Sequence, residues 1–282
     1  MPRNSAAKPR ILILQERDLA ILCDLYVSRM ASTKHLADIH FGGRLFAARI
    51  RLLALKKARL IVERKRLPFA PAILTIAERS VTELRRRGML ARYPRRSNPT
   101  YLRKARTEAH ELGVMDVKAA LCRAVEKCHG ASIVHFSTWP ELNAFTALGE
   151  EVRPDVFFRI EEQRWNGRAQ HAFYLEYDRD TESLALLRKR ADQYRAHLDA
   201  LRNEHRRAKS PPPLHRPPKA LFVLPTETRR RGIARTLTRG SAPILADVWL
   251  TTIDELLADP LGPIWLRPAD LRYSSKRKLR LL

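Results

Sequence analysis

The sequence predicts an α+β / α/β chain in two parts. A helical N-terminal unit closes with a two-stranded hairpin, and a C-terminal αβββαβ core carries a mixed sheet. Three observations lead there. Apolar residues recur at three- and four-residue spacing from Gln15 to residue 57. Beyond residue 130, short apolar runs alternate with long helical stretches. Basic charge is concentrated at one end: residues 1–108 hold 25 Lys+Arg against 8 Asp+Glu, a net of +17, and residues 109–282 hold 29 against 22, a net of +7.

Residues 1–10 are polar and basic and read as a disordered arm. Helical spacing begins at Gln15, with Leu19, Leu22, Cys23 and Tyr26 on one face. Ser32-Thr33 offers an N-cap for a short second helix whose apolar side is Leu36, Ala37 and Ile39, and Gly42-Gly43 breaks it. A third helix over about 44–57 turns Leu45, Ala48, Leu52 and Leu55 inward. Residues 60–62 and 73–76 read as strands around a loop with Pro68 and Pro71, and a fourth helix covers about 78–87.

Three helices and then a hairpin is the order of a winged helix-turn-helix, assigned to 11–88. The third helix offers Arg44, Arg49, Arg51, Lys56 and Lys57 on surfaces its leucines leave free, and Arg64, Lys65 and Arg66 sit at the expected tip of the wing. These eight are the candidate contacts to double-stranded DNA. Phosphate contact is favoured over base reading, because the third helix carries no Asn or Gln.

Residues 89–107 form a basic linker with Pro94, Pro99 and Arg95-Arg96. A long helix follows over about 105–128, with Leu112, Met115, Val117, Ala120, Leu121 and Val125 apolar. Strands are expected over 131–136, 152–160 and 172–178, the last two joined by a polar turn at 162–168. A long helix over 181–207 leads into a proline-rich loop at 210–218. The nearly all-apolar run 220–224 is the expected buried centre of the sheet. A basic helix (226–238), a strand (244–250) and a short helix (252–258) complete the core, assigned to 108–260, and 261–282 is a basic tail.

Composition narrows the function classes. The 282 residues carry a formal charge of +24 and 45% hydrophobic residues, enough for real cores. A surplus of one sign in one segment points to a polyanion partner. No apolar run approaches the roughly 18–20 residues that span a bilayer, and residues 11–14 are too short for a signal-peptide core, so a cytoplasmic protein without membrane contact is expected. Cys23, Cys122 and Cys128 fit neither a paired metal spacing nor a disulfide framework.

The candidate chemistry lies in carboxylates at strand ends. Arg153-Pro154-Asp155 opens one apolar run, and Glu176 and Asp178 close the next. Alternation along a strand puts Glu176 and Asp178 on one side. If the runs are neighbours, Asp155 joins them, and three oxygen-bearing groups offer the ligand set of Mg²⁺ or Mn²⁺. His110 and His171 form no metal spacing and read as structural or surface residues.

The order αβββαβ, with Asp155 on its second strand and Glu176 on its third, resembles the PD-(D/E)xK, or restriction-endonuclease-like, fold. That resemblance implies a metal held by Asp155 and Glu176, which activates water for phosphodiester cleavage. It also implies a lysine two residues after the third-strand acid. Here that position is Asp178, and Arg188, Lys189 and Arg190 on the following helix are the candidate substitutes, with Lys189 taken as the catalytic member of the set. Glu182 reads as a first-turn acid suited to the helix dipole.

A winged helix and linker, then Val152-Arg-Pro-Asp155 and 173–182 with Lys189 and Tyr194 beyond, resembles the replication-relaxation family of plasmids and other mobile elements. The resemblance implies a DNA-binding protein in replication or DNA relaxation with a nuclease-like C-terminal domain, and the carboxylates add to it the expectation of a metal-dependent nicking site at Asp155, Glu176, Asp178 and Lys189. The alternatives are a transcriptional or replication regulator with an inactive nuclease fold, and a DNA-binding subunit for a separate nuclease or transposase. A second copy of the chain, or other replication and mobilisation proteins, are the protein partners such roles imply.

Overall fold

The structure, a computed structural model, describes residues 12–65, 68–91, 93, 108–138, 142, 152–165, 167–207, 218–239, 241–272 and 278–282. The expected arm at 1–10, Arg66, most of the linker, nearly all of the proline-rich loop and residues 273–277 of the tail lie outside the described residues.

The N-terminal unit runs α1 (Glu16–Ser28), β1 (Ala31–Ser32), α2 (Thr33–His40), α3 (Leu45–Lys57), β2 (Ile61–Glu63), β3 (Ile73–Ile76) and α4 (Glu78–Arg86). The backbone N–H of Gln15 donates to Asp18 at 2.7 Å at the start of α1, and Ser32 accepts from the His35 N–H at 3.1 Å to cap α2. Gly42 and Gly43 both take positive φ (56° and 75°), the turn that aims the chain from α2 into α3. The strands form an antiparallel sheet in the order β1-β3-β2. Its short first strand is an element the spacing did not predict.

Ile21, Leu22, Leu25, Tyr26, Leu36, Ala48, Leu52 and Leu55 make the centre of this unit's core. Two expected faces differ. α1 buries Ile21 and Leu25 while Leu19 and Cys23 are only half-buried. Leu45, expected inward, is exposed. Nine of the thirteen residues of α3 are apolar, so its periodicity does not select one inward face.

α5 (Glu108–Lys127) is a spine shared by both halves. On one side it meets α1 and α2 through charge pairs: Lys118 to Asp24 at 2.6 Å, Asp116 to His35 at 2.8 Å, Arg123 to Asp38, and Glu111 to Arg29. His40 reaches the same Asp24 at 2.9 Å. Burial alone would raise the Asp24 pKa, but Lys118 and His40 hold it down at about 2. On its other side α5 packs Val117, Ala120 and Leu121 against the large sheet.

That sheet is built from β4 (Ala131–Ser137), β5 (Val156–Arg164), β6 (Gly167–Tyr177), β7 (Lys219–Leu224) and β8 (Val248–Thr252), in the order β4-β5-β6-β7-β8. The first three strands are antiparallel, and β7 and β8 add in parallel. The connecting helices are α6 (Leu184–Arg207) and α7 (Glu227–Thr238), followed by α8 (Ile253–Ala258) and α9 (Pro268–Arg272). The molecule is therefore a mixed α+β chain with a five-stranded mixed sheet and a three-stranded antiparallel one.

The expected polar turn at 162–168 is mostly strand. The β5–β6 ladder continues to Arg164 opposite Gly167, whose φ of 125° makes the reversal. Arg168 lies 3.2 Å from Glu161 and Arg164 2.7 Å from Glu162, so charged residues sit in the strands as ion pairs. At the other end β5 starts at Val156 rather than Val152. Pro154 has no N–H for a ladder. Among the described residues, no helix is long and apolar enough to cross a membrane.

Candidate functional site

Alternation along β6 divides its side chains between two layers. Phe173 and Leu175 join the core under α5, while Tyr174 packs with Tyr194 and Phe222 under α6. Glu176 follows Tyr174 onto the α6 side, where it accepts from Tyr194 Oη and Arg190 Nη1, each at 2.6 Å. It is 3% exposed.

Asp155 stands one step beyond the register pair Val156↔Leu175, which sets it opposite Glu176. Its Oδ2 accepts the backbone N–H of Tyr177 at 2.8 Å, and its Oδ1 lies 3.1 Å from Nε2 of His110 in the first turn of α5. Burial and then the nearby Asp155 charge push the Glu176 pKa up to about 8, against the opposing pull of Arg190 and Tyr194. His110 moves up as well: burial lowers its pKa, and the hydrogen bond and charge of Asp155 outweigh that.

Asp178 is also buried, but it belongs to a different helix. Nε of Arg229 in the first turn of α7 donates to Asp178 Oδ2 at 2.8 Å, and the Asp180 N–H donates to Oδ1 at 3.0 Å. Arg229 pairs with Asp180 at 3.0 Å and donates to the Glu182 carbonyl oxygen. Glu182 lies in the loop before α6 rather than in its first turn, and it takes the second amine of Arg190 at 2.7 Å. Two guanidinium groups thus lace together the acids at the end of β6.

Asp155 and Glu176 come together as the strand register requires, and Asp178 shares the face of Glu176. Each acid nevertheless already has donors: His110 and the Tyr177 amide for Asp155, Arg190 and Tyr194 for Glu176, Arg229 for Asp178. Among the described residues, no group of three or more His, Cys, Asp or Glu is set to hold a metal ion. In this arrangement the three carboxylates expected to hold Mg²⁺ or Mn²⁺ are each engaged by donors of the chain itself. Lys189 stands on the exposed side of α6, and its neighbour Arg190 is the base that reaches Glu176. Arg188 instead donates to carbonyls at and beyond the end of α7, Leu237 at 3.1 Å and Ala242 at 2.6 Å among them.

His110 and Arg229 are the site residues that sequence reasoning missed. A single histidine in a helical stretch and one arginine in a basic helix carry no spacing signal. Each is brought in by an element some 45–50 residues from its carboxylate.

The basic candidates of the N-terminal unit also separate. Arg51 donates to Asp18, which is fully buried, through Nε at 2.7 Å and through Nη2, and it ties α3 to α1. Arg64 is half-buried and pairs with Glu108 at 3.2 Å. Lys56 reaches Glu63 at 2.7 Å, and Arg44 donates from Nε to the Phe41 carbonyl at 2.9 Å. Arg49, Lys57 and Lys65 are exposed. Between α3 and the β2–β3 connection lies a groove of about 600 Å³ lined by Thr33, Leu45, Arg49, Leu53, Lys56 and Phe69 among others.

A family model described as replication-relaxation matches residues 22–212, from α1 through α6 and short of β7. No curated protein and no solved structure matches the chain.

Proposed function

Since the chain belongs to the replication-relaxation family, we propose that it binds double-stranded DNA during the replication or relaxation of a plasmid or other mobile element. On this reading 11–88 is a winged helix-turn-helix, with α3 as the helix that approaches the groove and the β2–β3 connection as the wing. The observation that carries it is the exposed cation set Arg49, Lys57 and Lys65 on those two elements, in a chain whose formal charge is +24. Arg51 and Arg64 serve the fold, and Lys56 and Arg44 have local partners.

The five-stranded core reads as a restriction-endonuclease-like sheet in which arginines stand where a cation would. Arg190 and Tyr194 hold Glu176, Arg229 neutralises Asp178, and His110 holds Asp155. This favours a DNA-binding assembly subunit or regulator over a nuclease acting alone. Metal-dependent nicking is the second reading, supported by the direct opposition of Asp155 and Glu176 at the strand ends.

The deciding experiment incubates the full chain with supercoiled plasmid, with and without Mg²⁺ or Mn²⁺, beside Asp155→Ala and Glu176→Ala. The expected result is intact plasmid, retarded in a gel by all three proteins, with affinity falling steeply with salt. Metal-dependent open circles that both substitutions abolish would establish the nicking reading. A flat salt dependence would remove DNA as the partner.

A further inference from the structure

The outward face of α3 is not what phosphate contact alone requires. Phe46 is 76% exposed, Ile50 58% and Leu53 48%. Their spacing of four and three residues lines them up in one stripe along the helix. Lys57 continues the stripe one turn on, and Arg49 and Lys56 run along one flank. The only charged or polar side chains of α3 are Arg and Lys, so it offers bases no amide or carboxylate.

Contiguous large apolar groups on a surface mark a contact. The cations around this stripe restrict the occupant. A second copy packed α3 against α3 would bring two sets of Arg49, Lys56 and Lys57 together on chains of +24 each, which like-charge repulsion opposes. A polyanion matches the flank. In the major groove of duplex DNA, the C5-methyl of thymine is the apolar group on the base edges, and apolar side chains recognise it.

Building on the DNA-binding reading above, we infer that Phe46, Ile50 and Leu53 of α3 recognise thymine methyl groups in the major groove, which makes A·T-rich duplex the preferred substrate. Arg49 beside the stripe and Lys57 at its end meet phosphates. From Phe46 to Leu53 the helix rises about 10 Å at about 1.5 Å per residue, roughly three base-pair steps of about 3.4 Å. One short run of thymines is therefore enough to engage the whole stripe. Lys56 contributes less to the flank than its charge suggests, because Glu63 faces it from β2.

The test compares fluorescence anisotropy of the full chain on randomised A·T-rich duplex pools made with thymidine or with deoxyuridine, which lacks only the methyl group. One buried methyl contributes about fourfold in affinity. The thymine pool should bind at least about fivefold more tightly than the uracil pool. Phe46→Ala should narrow the difference between the pools, and the triple variant Phe46→Ala, Ile50→Ala, Leu53→Ala should bind both alike, near the wild-type uracil value, with an unchanged melting temperature because these side chains are exposed. Equal binding of both pools by the wild type, with a steep salt dependence, would overturn methyl recognition and leave DNA binding standing. Absence of binding to any duplex would remove both. A wild-type dimer in sedimentation that Phe46→Ala dissolves would assign the stripe to self-association instead.

Discussion

Asp155 and Glu176 face one another across the β5–β6 ladder, one step past the pair Val156↔Leu175, yet they are held by opposite layers of the protein. His110 of α5 holds the first, and Arg190 and Tyr194 of α6 hold the second. A pair of acids is thereby brought close at the sheet's end by two helices that do not share a layer.

The protonation of Glu176 makes stability depend on pH. Its pKa rises from 4.5 to about 8 in the folded chain, chiefly through burial and then through Asp155. Between those values the folded state holds a proton that the unfolded state has lost, so this group's contribution declines as pH rises across the interval. His110, also shifted upward, acts in the same direction above its ordinary value of 6.5. Melting should therefore occur at a higher temperature near pH 6 than near pH 8.5. Glu176→Gln should flatten that difference, and a profile unchanged by the substitution would refute the assignment.

The two guanidinium groups should differ in what their removal costs. Arg229→Ala leaves Asp178, almost wholly buried, without its charge partner, and breaking such a pair costs roughly 3–5 kcal/mol. Arg190→Ala leaves a carboxyl already disposed to hold a proton, so its loss should be clearly smaller. Chemical denaturation of both variants at pH 7 measures the difference. Equal losses would count against the protonated Glu176.

Arg49 and Arg51 are two residues apart on α3 and should report on different properties. Arg51→Ala removes the partner of buried Asp18 and should lower stability by about 3 kcal/mol. Arg49→Ala should leave the denaturation midpoint unchanged. It should weaken DNA binding across sequences and reduce the log–log salt slope by about 0.9, as one lost phosphate contact does. Denaturation curves and salt titrations of the two variants test both halves of the contrast.

Gly113 lets the carboxylate site close. A Cβ there would overlap the ring of Tyr177, whose N–H holds Asp155. Gly113→Ala should cost about 1–3 kcal/mol by overpacking. Because the clash is with a side chain, Tyr177→Leu in the same chain should recover part of that loss. Additive losses in a double-mutant cycle would show that the contact is not the cause.

Much of this architecture was legible in the residues. A period of 3.6 placed α1 to α4, and a period of two placed Glu176 and Asp178 on a common face beyond the end of the Phe173–Leu175 run. Boundaries slipped where charged residues formed cross-strand pairs, as at Glu161 and Arg168, because a polar residue in a ladder looks like a turn until its partner is known. Leu45 shows another limit. A helix apolar around most of its girth buries whichever side its neighbours cover, and α3 turned Phe46, Ile50 and Leu53 outward.

The sequence by itself determined most of the order of helices and strands, the excess of positive charge in the first 108 residues, and the common side of Glu176 and Asp178, since local spacing and side-chain alternation act within a few residues. Only the tertiary structure decided what each acid meets. Arg229 reaches Asp178 across 51 positions and His110 reaches Asp155 across 45, contacts set by how α5 and α7 cross the sheet. The same long-range packing gave Arg51 to Asp18 and left Arg49 in solvent, because a cation's role depends on the nearest carboxylate in space and not on its place along the helix.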